Sequence, residues 1–125
     1  MEINRVSGAI VDSAMKVHTH LGPGLLESAY EACLAFELSQ RGHRVTRQVE
    51  QPIVYEGVRL DVGYRLDLLV DDLVIVELKA VDQIAPIHKA QLLSYLKLSD
   101  KRLGLLINFN VELLKHGITR IANNL

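Results

Sequence analysis

The stretch RLDLLVDDLVIVELK, residues 65–79, decides the fold of this chain. Its two ends are rich in the apolar residues that form β-strands, and Asp71-Asp72 between them marks a turn. Residues 73–80 are almost continuously apolar, which is typical of a central strand that is covered on both faces. The stretch therefore predicts a β-hairpin whose second strand lies inside a sheet.

Two charged residues, Glu77 and Lys79, interrupt the predicted central strand. Because side chains alternate in direction along a strand, both must emerge on the same face of the sheet. Counting back from the turn places Asp67 close to opposite residues 76 and 77, where facing Cβ atoms are about 5 Å apart. A structural Glu–Lys pair would explain the two charges alone, but two facing carboxylates repel unless a proton or a cation lies between them.

The chemistry of such a pair points to a metal ion. A hard divalent cation such as Mg²⁺ or Mn²⁺ suits two carboxylates, a backbone carbonyl and waters. An ammonium group beside that cation can position a water or stabilise charge on a phosphate. The residue types and their spacing therefore fit metal-assisted hydrolysis of a phosphodiester.

The rest of the chain supplies helices and further strands around this hairpin. Apolar residues at helical spacing, turn signals and β-branched runs predict helices over 2–21, 26–41 and 86–98, strands over 44–55, 58–70, 73–80 and 103–109, one helical turn over 111–115, and a short strand or helix over 118–121. Pro52 places the first strand at an edge of the sheet. The order predicts a mixed α/β layer fold: an antiparallel meander followed by a helical crossover.

Composition limits the class of protein. A length of 125 residues predicts one domain over 1–125. A formal charge of −1 gives no overall attraction for nucleic acid, so binding would need local patches of basic residues. Basic residues cluster at 41–47 and at 97–102, and each cluster by itself is interpreted as solvated charged surface. Both clusters together can hold a phosphate backbone. Aromatic residues at 5% argue against an RRM- or OB-type stacking platform.

Location is predicted from the cysteine count and from hydropathy. The one cysteine, Cys33, cannot form an intramolecular disulfide, and it is interpreted as a buried small hydrophobic residue. No apolar run approaches the roughly 20 residues that cross a bilayer. We therefore expect a cytoplasmic domain with no membrane contact.

The site residues also resemble a known family. Asp67, followed ten residues later by Glu77-Leu78-Lys79, resembles the D…(D/E)-x-K core of the PD-(D/E)XK nuclease superfamily. Residues 24–30, GLLESAY, reproduce the signature of the GxxExxY protein family, a small branch of that superfamily. Residues 91–96 and 106–110 also look like blocks of that family, so the likeness runs from about residue 3 to 122. Leu66 stands in place of the superfamily's nominal proline.

The resemblance implies a restriction-endonuclease-like mixed sheet with an αα-βββ-α-β core flanked by helices. It implies a nuclease that acts on nucleic acid, with DNA the expected substrate, and a domain of this size often dimerises to span a duplex. The implied roles are metal ligation by Asp67, Glu77 and the Leu78 carbonyl, water orientation or charge stabilisation by Lys79, a helical acid at Glu27, and support of Lys79 or the substrate phosphate by Gln91 and Tyr95.

Alternatives remain open at this point. The small size and near-zero charge also suit a non-catalytic module that keeps the nuclease fold and binds nucleic acid or protein. By themselves, Tyr30 reads as a core residue, Glu27 as an acid that complements the helix dipole, and Gln91 as a partner for a buried backbone group. A metal-independent hydrolase using Cys33 or Ser94 ranks low because no base stands near either residue in the pattern.

Overall fold

The protein is described here by a computed structural model covering residues 2–125. Along the chain the elements are α1 (Glu2–Leu21), α2 (Glu27–Gln40), β1 (Val45–Glu50), β2 (Ile53–Tyr55), β3 (Val58–Leu60), β4 (Arg65–Val70), β5 (Val74–Lys79), α3 (Pro86–Ser99), β6 (Leu103–Asn108), a 3₁₀ turn (Leu114–His116) and β7 (Ile118–Ala122). None of the helices in the described range has the length and apolar character needed to span a membrane.

Five of the strands form one mixed sheet in the order β1-β4-β5-β6-β7. β4 pairs antiparallel with both β1 and β5, and β6 pairs antiparallel with β7. β5 and β6 are parallel, and α3 makes the crossover between them. The predictions of a mixed α/β fold, a central β5 and an edge position for β1 are confirmed.

The prediction of two long strands over 44–55 and 58–70 is wrong. Each is broken in two, and the inner pieces β2 and β3 pair only with each other in a separate small hairpin. The break follows from Pro52, which has no backbone N–H to give to a ladder, and from Gly63, whose φ of 83° ends an extended strand. The Gln51 N–H donates to the Tyr64 carbonyl at 2.8 Å, which ties the base of the hairpin to the sheet.

The end of the chain agrees with prediction in part. The helical turn is a 3₁₀ turn over Leu114–His116 rather than a turn from residue 111, and the last element is the strand β7, one of the two alternatives that the sequence left open. β7 is a strand because it pairs with β6. The hydrophobic periodicity of a segment this short cannot indicate which strand it pairs with.

The helices cover the two faces of the sheet. α1 and α2 pack against one face, with a core that includes Leu68, Val76 and Leu78, and α3 packs against the other, with a core that includes Leu66 and Ile75. Gly104 on β6 allows α3 to approach closely, because a Cβ there would lie 2.9 Å from the Leu92 side chain. This packing fixes α3 over the face of β5 that carries its odd-numbered residues.

The start of α2 is held by Tyr30. The ring of Tyr30 is fully buried and stacks on Phe109 with centroids 4.4 Å apart. Its hydroxyl donates to the Gly22 carbonyl at 2.6 Å and accepts from the Leu25 N–H at 3.1 Å. Tyr30 therefore fixes the loop between α1 and α2, and with it the position of the acidic first turns of α2.

Candidate active site

The antiparallel ladder between β4 and β5 ends at the pair Leu68–Val76. Beyond this pair of residues, the side-chain carboxylates of Asp67 and Glu77 accept the hydrogen bonds that backbone carbonyls accept within the ladder. The Asp67 N–H donates to Glu77 Oε2 at 2.8 Å, and the Leu78 N–H donates to Asp67 Oδ2 at 2.8 Å. These two hydrogen bonds hold the carboxylates next to each other where the β4–β5 ladder ends. Each carboxylate has a second oxygen that accepts no hydrogen bond from a backbone N–H.

The pairing of β4 with β1 is interrupted at the same position. Residues on both sides pair, but Asp67 and Gln48 do not. Gln48 has a φ of 52°, which is uncommon for a residue with a side chain and is found mostly where the surrounding structure imposes it. Across this break β4 changes faces, since Leu68 belongs to the α1–α2 core and Leu66 to the α3 core. Asp67 lies at the change of face.

Burial and mutual repulsion shift the pKa values of the pair. Glu77 is 5% exposed, and burial together with the negative charge of Asp67 raises its pKa to about 8. Burial also raises the pKa of Asp67, with a further contribution from the charge of Glu31, against the opposing hydrogen bond from Leu78. At neutral pH the pair therefore retains a proton, which a bound cation would displace.

Lys79 and Tyr95 complete the polar surroundings of the pair. Lys79 is half-buried on the same face as Glu77, and its positive charge acts to lower the pKa of Glu77 and of Asp67. Tyr95, on α3, is 6% exposed; burial, then the charges of Glu77, Tyr64 and Asp67, raise its pKa above the usual 10. The Tyr95 hydroxyl therefore keeps its proton at neutral pH and can donate it in a hydrogen bond.

The end of β5 is fixed by Asn108, which is 2% exposed. The Asn108 side chain accepts from the Val81 N–H at 3.1 Å and donates to the Val81 carbonyl at 2.9 Å. The Phe109 N–H donates to the Lys79 carbonyl at 3.0 Å. These bonds hold the backbone of Lys79 and the turn that follows it.

A carboxylate that sequence reasoning missed, Glu31, lies close to Asp67. It is 7% exposed on α2 and accepts from Gln48 Nε2 at 2.6 Å and from Arg47 Nε at 3.0 Å. Gln48 Nε2 also reaches Asp67 Oδ1 at 3.5 Å, so one amide bridges the two acids. The signal in the sequence was an acidic residue on the apolar stripe of α2, three and seven residues before buried leucines.

The other predicted residues lie further out. Glu27 is exposed in the first turn of α2, one turn before Glu31, and no hydrogen bond or ion pair within residues 2–125 joins it to the pair. Gln91 is exposed on α3, one turn before Tyr95. The structure thus brings Asp67, Glu77, Lys79 and Tyr95 together and leaves Glu27 and Gln91 at the surface.

Four members of the two predicted basic clusters contact local acids, whereas among residues 2–125 Arg44, Lys97 and Arg102 have no ion pair with an acid. The pairs are Arg41–Glu37 at 2.9 Å, His43–Asp71 at 2.6 Å, Arg47–Glu31 at 3.0 Å and Lys101–Asp72 at 3.1 Å. Such pairing agrees with the interpretation of each cluster as solvated charged surface.

The donor set fits a divalent cation of the magnesium type. Among residues 2–125 no group of three or more His, Cys, Asp or Glu side chains is placed to hold a metal ion. Magnesium is commonly bound by one or two carboxylates, with waters and substrate phosphates as the remaining ligands. The second oxygens of Asp67 and Glu77 are hard donors of this kind, and burial, the largest cause, raises the pKa of both carboxyl groups.

Comparison with known proteins agrees with this geometry. Residues 4–121 match the family model of the PD-(D/E)XK nuclease superfamily. Searches of curated proteins and of solved structures gave no significant match. The matched segment contains the carboxylate pair, Lys79 and Tyr95, and the five-stranded mixed sheet with helices on both faces is consistent with the restriction-endonuclease-like fold. The chain therefore belongs to the PD-(D/E)XK nuclease superfamily.

Proposed function

We propose that this protein is a nuclease that hydrolyses phosphodiester bonds of nucleic acid with a divalent cation, Mg²⁺ or Mn²⁺, held by Asp67 and Glu77. Nucleases of this superfamily generally use divalent metals. The observation that carries the proposal is the carboxylate pair at the end of the β4–β5 ladder, where each carboxylate accepts one backbone N–H and has a second oxygen without a backbone donor; Gln48 Nε2 approaches that oxygen of Asp67 only to 3.5 Å.

Each residue of the site has a distinct proposed role. When bound, the cation polarises a phosphate oxygen and lowers the pKa of a water. Asp67 and Glu77 bind it through their second oxygens, with the Leu78 carbonyl as a further ligand. Lys79 presents an ammonium group on the same face, where it orients the attacking water or stabilises charge on the phosphate. Tyr95 donates its hydroxyl proton in a hydrogen bond, either to the carboxylate pair or to the phosphate.

The finer assignments are part of the same proposal. We assign the chain to the GxxExxY branch, with residues 1–125 as one domain and DNA as the substrate. Tyr30, the tyrosine of the GxxExxY signature, is assigned a structural role, because its hydroxyl is already hydrogen-bonded to the backbone of Gly22 and Leu25. Glu27 and Gln91 are proposed as outer contributors that reach the site through a water or the substrate. A homodimer and a cytoplasmic location stay predictions.

The direct test is a cleavage assay with Mg²⁺ or Mn²⁺ on supercoiled plasmid, single-stranded circular DNA and RNA. Wild type is compared with Asp67→Asn, Lys79→Met and the control Lys115→Met, an exposed lysine on the 3₁₀ turn. We expect Asp67→Asn and Lys79→Met to lose about 100-fold or more in rate and the control to lose nothing. Binding that is salt-dependent but without turnover would favour the non-catalytic alternative, and unchanged cleavage in both site variants would exclude the proposed site.

A further inference from the structure

A groove with a volume of about 570 Å³ lies between the base of the β2–β3 hairpin and one side of α3. We call it the side groove. Ile53 and Tyr64 form its hairpin wall, and its α3 wall includes Gln91, Tyr95 and Lys97. A volume of this size is typical of pockets that hold a small organic group.

The side groove and the candidate active site share a wall. Tyr95 lines the groove and packs in the same core cluster as Leu66, which directly precedes Asp67, and Ile75, which lies two residues before Glu77 on β5. Tyr64 directly precedes β4, three residues before Asp67, and its ring lies 5.9 Å from that of Tyr95 at 56°. A substrate phosphate at the carboxylates would therefore have the side groove as its immediate neighbour.

The lining of the groove matches a flat ring with a polar edge. Its walls are mostly aliphatic and aromatic, and besides the two tyrosine hydroxyls its polar groups are the Gln91 amide, the Ser94 hydroxyl and the Lys97 ammonium. Although aromatic residues make up only 5% of the chain, two of its four tyrosines meet here. Tyr64 is 44% exposed, so its ring is available for stacking. Nucleobases stack on such rings and hydrogen-bond through their edges.

We propose that the side groove takes one unpaired nucleobase of the strand being cut, next to the scissile phosphate. The inference rests on the proposed nuclease function and adds a substrate class: single-stranded or flapped nucleic acid rather than uninterrupted duplex. A base in a duplex is stacked and paired, and extracting it costs a few kcal/mol. A single-base pocket also differs from an extended stacking platform, which the scarcity of aromatic residues argues against.

The test compares the binding of short fluorescent oligonucleotides in Ca²⁺ by anisotropy, using single-stranded DNA, single-stranded RNA and the matching duplexes, and then their cleavage in Mg²⁺. The variants are Tyr64→Ala, Tyr64→Phe and the control Tyr55→Ala. Tyr55 is an exposed tyrosine on β2, at 64% against 44% for Tyr64, and it does not line the side groove. We expect single strands to bind about tenfold more tightly than duplex, Tyr64→Ala to lose about tenfold, and Tyr64→Phe and Tyr55→Ala to keep the wild-type affinity.

Several outcomes would overturn the inference: equal affinity for single strands and duplex, equal losses for Tyr64→Ala and Tyr55→Ala, or a dimer in gel filtration that Tyr64→Ala converts to monomer. The last result would assign the groove to a second copy of the chain. Failure of the nuclease proposal is distinguishable. If single strands bind tightly, binding depends on Tyr64 and no cleavage follows, the result contradicts the nuclease proposal and supports the base-binding groove. If duplex and single strands are cleaved equally, the result supports the nuclease proposal and contradicts the base-binding groove.

Discussion

Replacing Glu77 by Gln is expected to stabilise the metal-free protein at alkaline pH while removing its response to divalent cations. In the unfolded chain Glu77 ionises near 4.5, but in the folded protein burial and the charge of Asp67 raise its pKa to about 8. Above pH 4.5 the unfolded state therefore binds fewer protons than the folded state, so the free energy of unfolding falls as the pH rises toward 8. The loss between pH 5.5 and pH 8 amounts to about 3 kcal/mol, since one pKa unit corresponds to about 1.4 kcal/mol.

Glutamine keeps the shape of the side chain and an oxygen that can accept the Asp67 N–H, but it has no proton to lose. Urea unfolding in EDTA at pH 5.5, 7 and 8 should show the fall for wild type and for the exposed control Glu112→Gln, but not for Glu77→Gln. Adding Mg²⁺ at 100 times its dissociation constant should restore about 2.7 kcal/mol at pH 8 to wild type and to Glu112→Gln, but not to Glu77→Gln. Parallel pH profiles for wild type and Glu77→Gln would refute the reasoning.

Three further predictions concern stability, each measured by urea unfolding. Tyr30→Phe should cost about 1 kcal/mol, because the part-buried Gly22 carbonyl and Leu25 N–H both lose their hydroxyl partner, and an unchanged midpoint would contradict this role. Gln48 has a φ of 52°, so Gln48→Gly should have a free energy of unfolding about 1 kcal/mol higher than Gln48→Ala, whereas in an ordinary strand position Ala is the more stable residue. If Gln48→Ala is the more stable variant, no backbone strain is stored at this position. Gly104→Ala should cost about 1–3 kcal/mol because Leu92 must move, whereas Gly8→Ala, with open space around it in α1, should gain up to about 1 kcal/mol; equal effects would contradict the close approach of α3.

Much of the fold could be predicted from local patterns. The bounds of α1, α2 and α3 follow from helical periodicity and from the glycines and proline that punctuate it, and the central position of β5 follows from its nearly continuous apolar run. The turn at Asp71-Asp72 sets the register that brings Asp67 opposite Glu77. These features depend on neighbours in the sequence.

The features that escaped prediction depend on distant parts of the chain. The split of the two long strands depends on a hydrogen bond between Gln51 and Tyr64, thirteen positions apart. Glu31 reaches the site only because α2 crosses β1 near Gln48, whereas the family motif directed attention to Glu27 one turn earlier. The insertion of carboxylates into the β4–β5 ladder likewise coincides with a break in the pairing of Asp67 with Gln48, nineteen positions away on β1.

The most direct measurement of the central claim is a crystal structure soaked in Mn²⁺, read by anomalous scattering at the manganese edge. We expect one strong peak bonded to an oxygen of Asp67 and an oxygen of Glu77, with Lys79 on the same side of the sheet, and no such peak in crystals of Glu77→Gln. A peak elsewhere, or none between these two carboxylates at a pH above 8, would contradict a metal site at this pair.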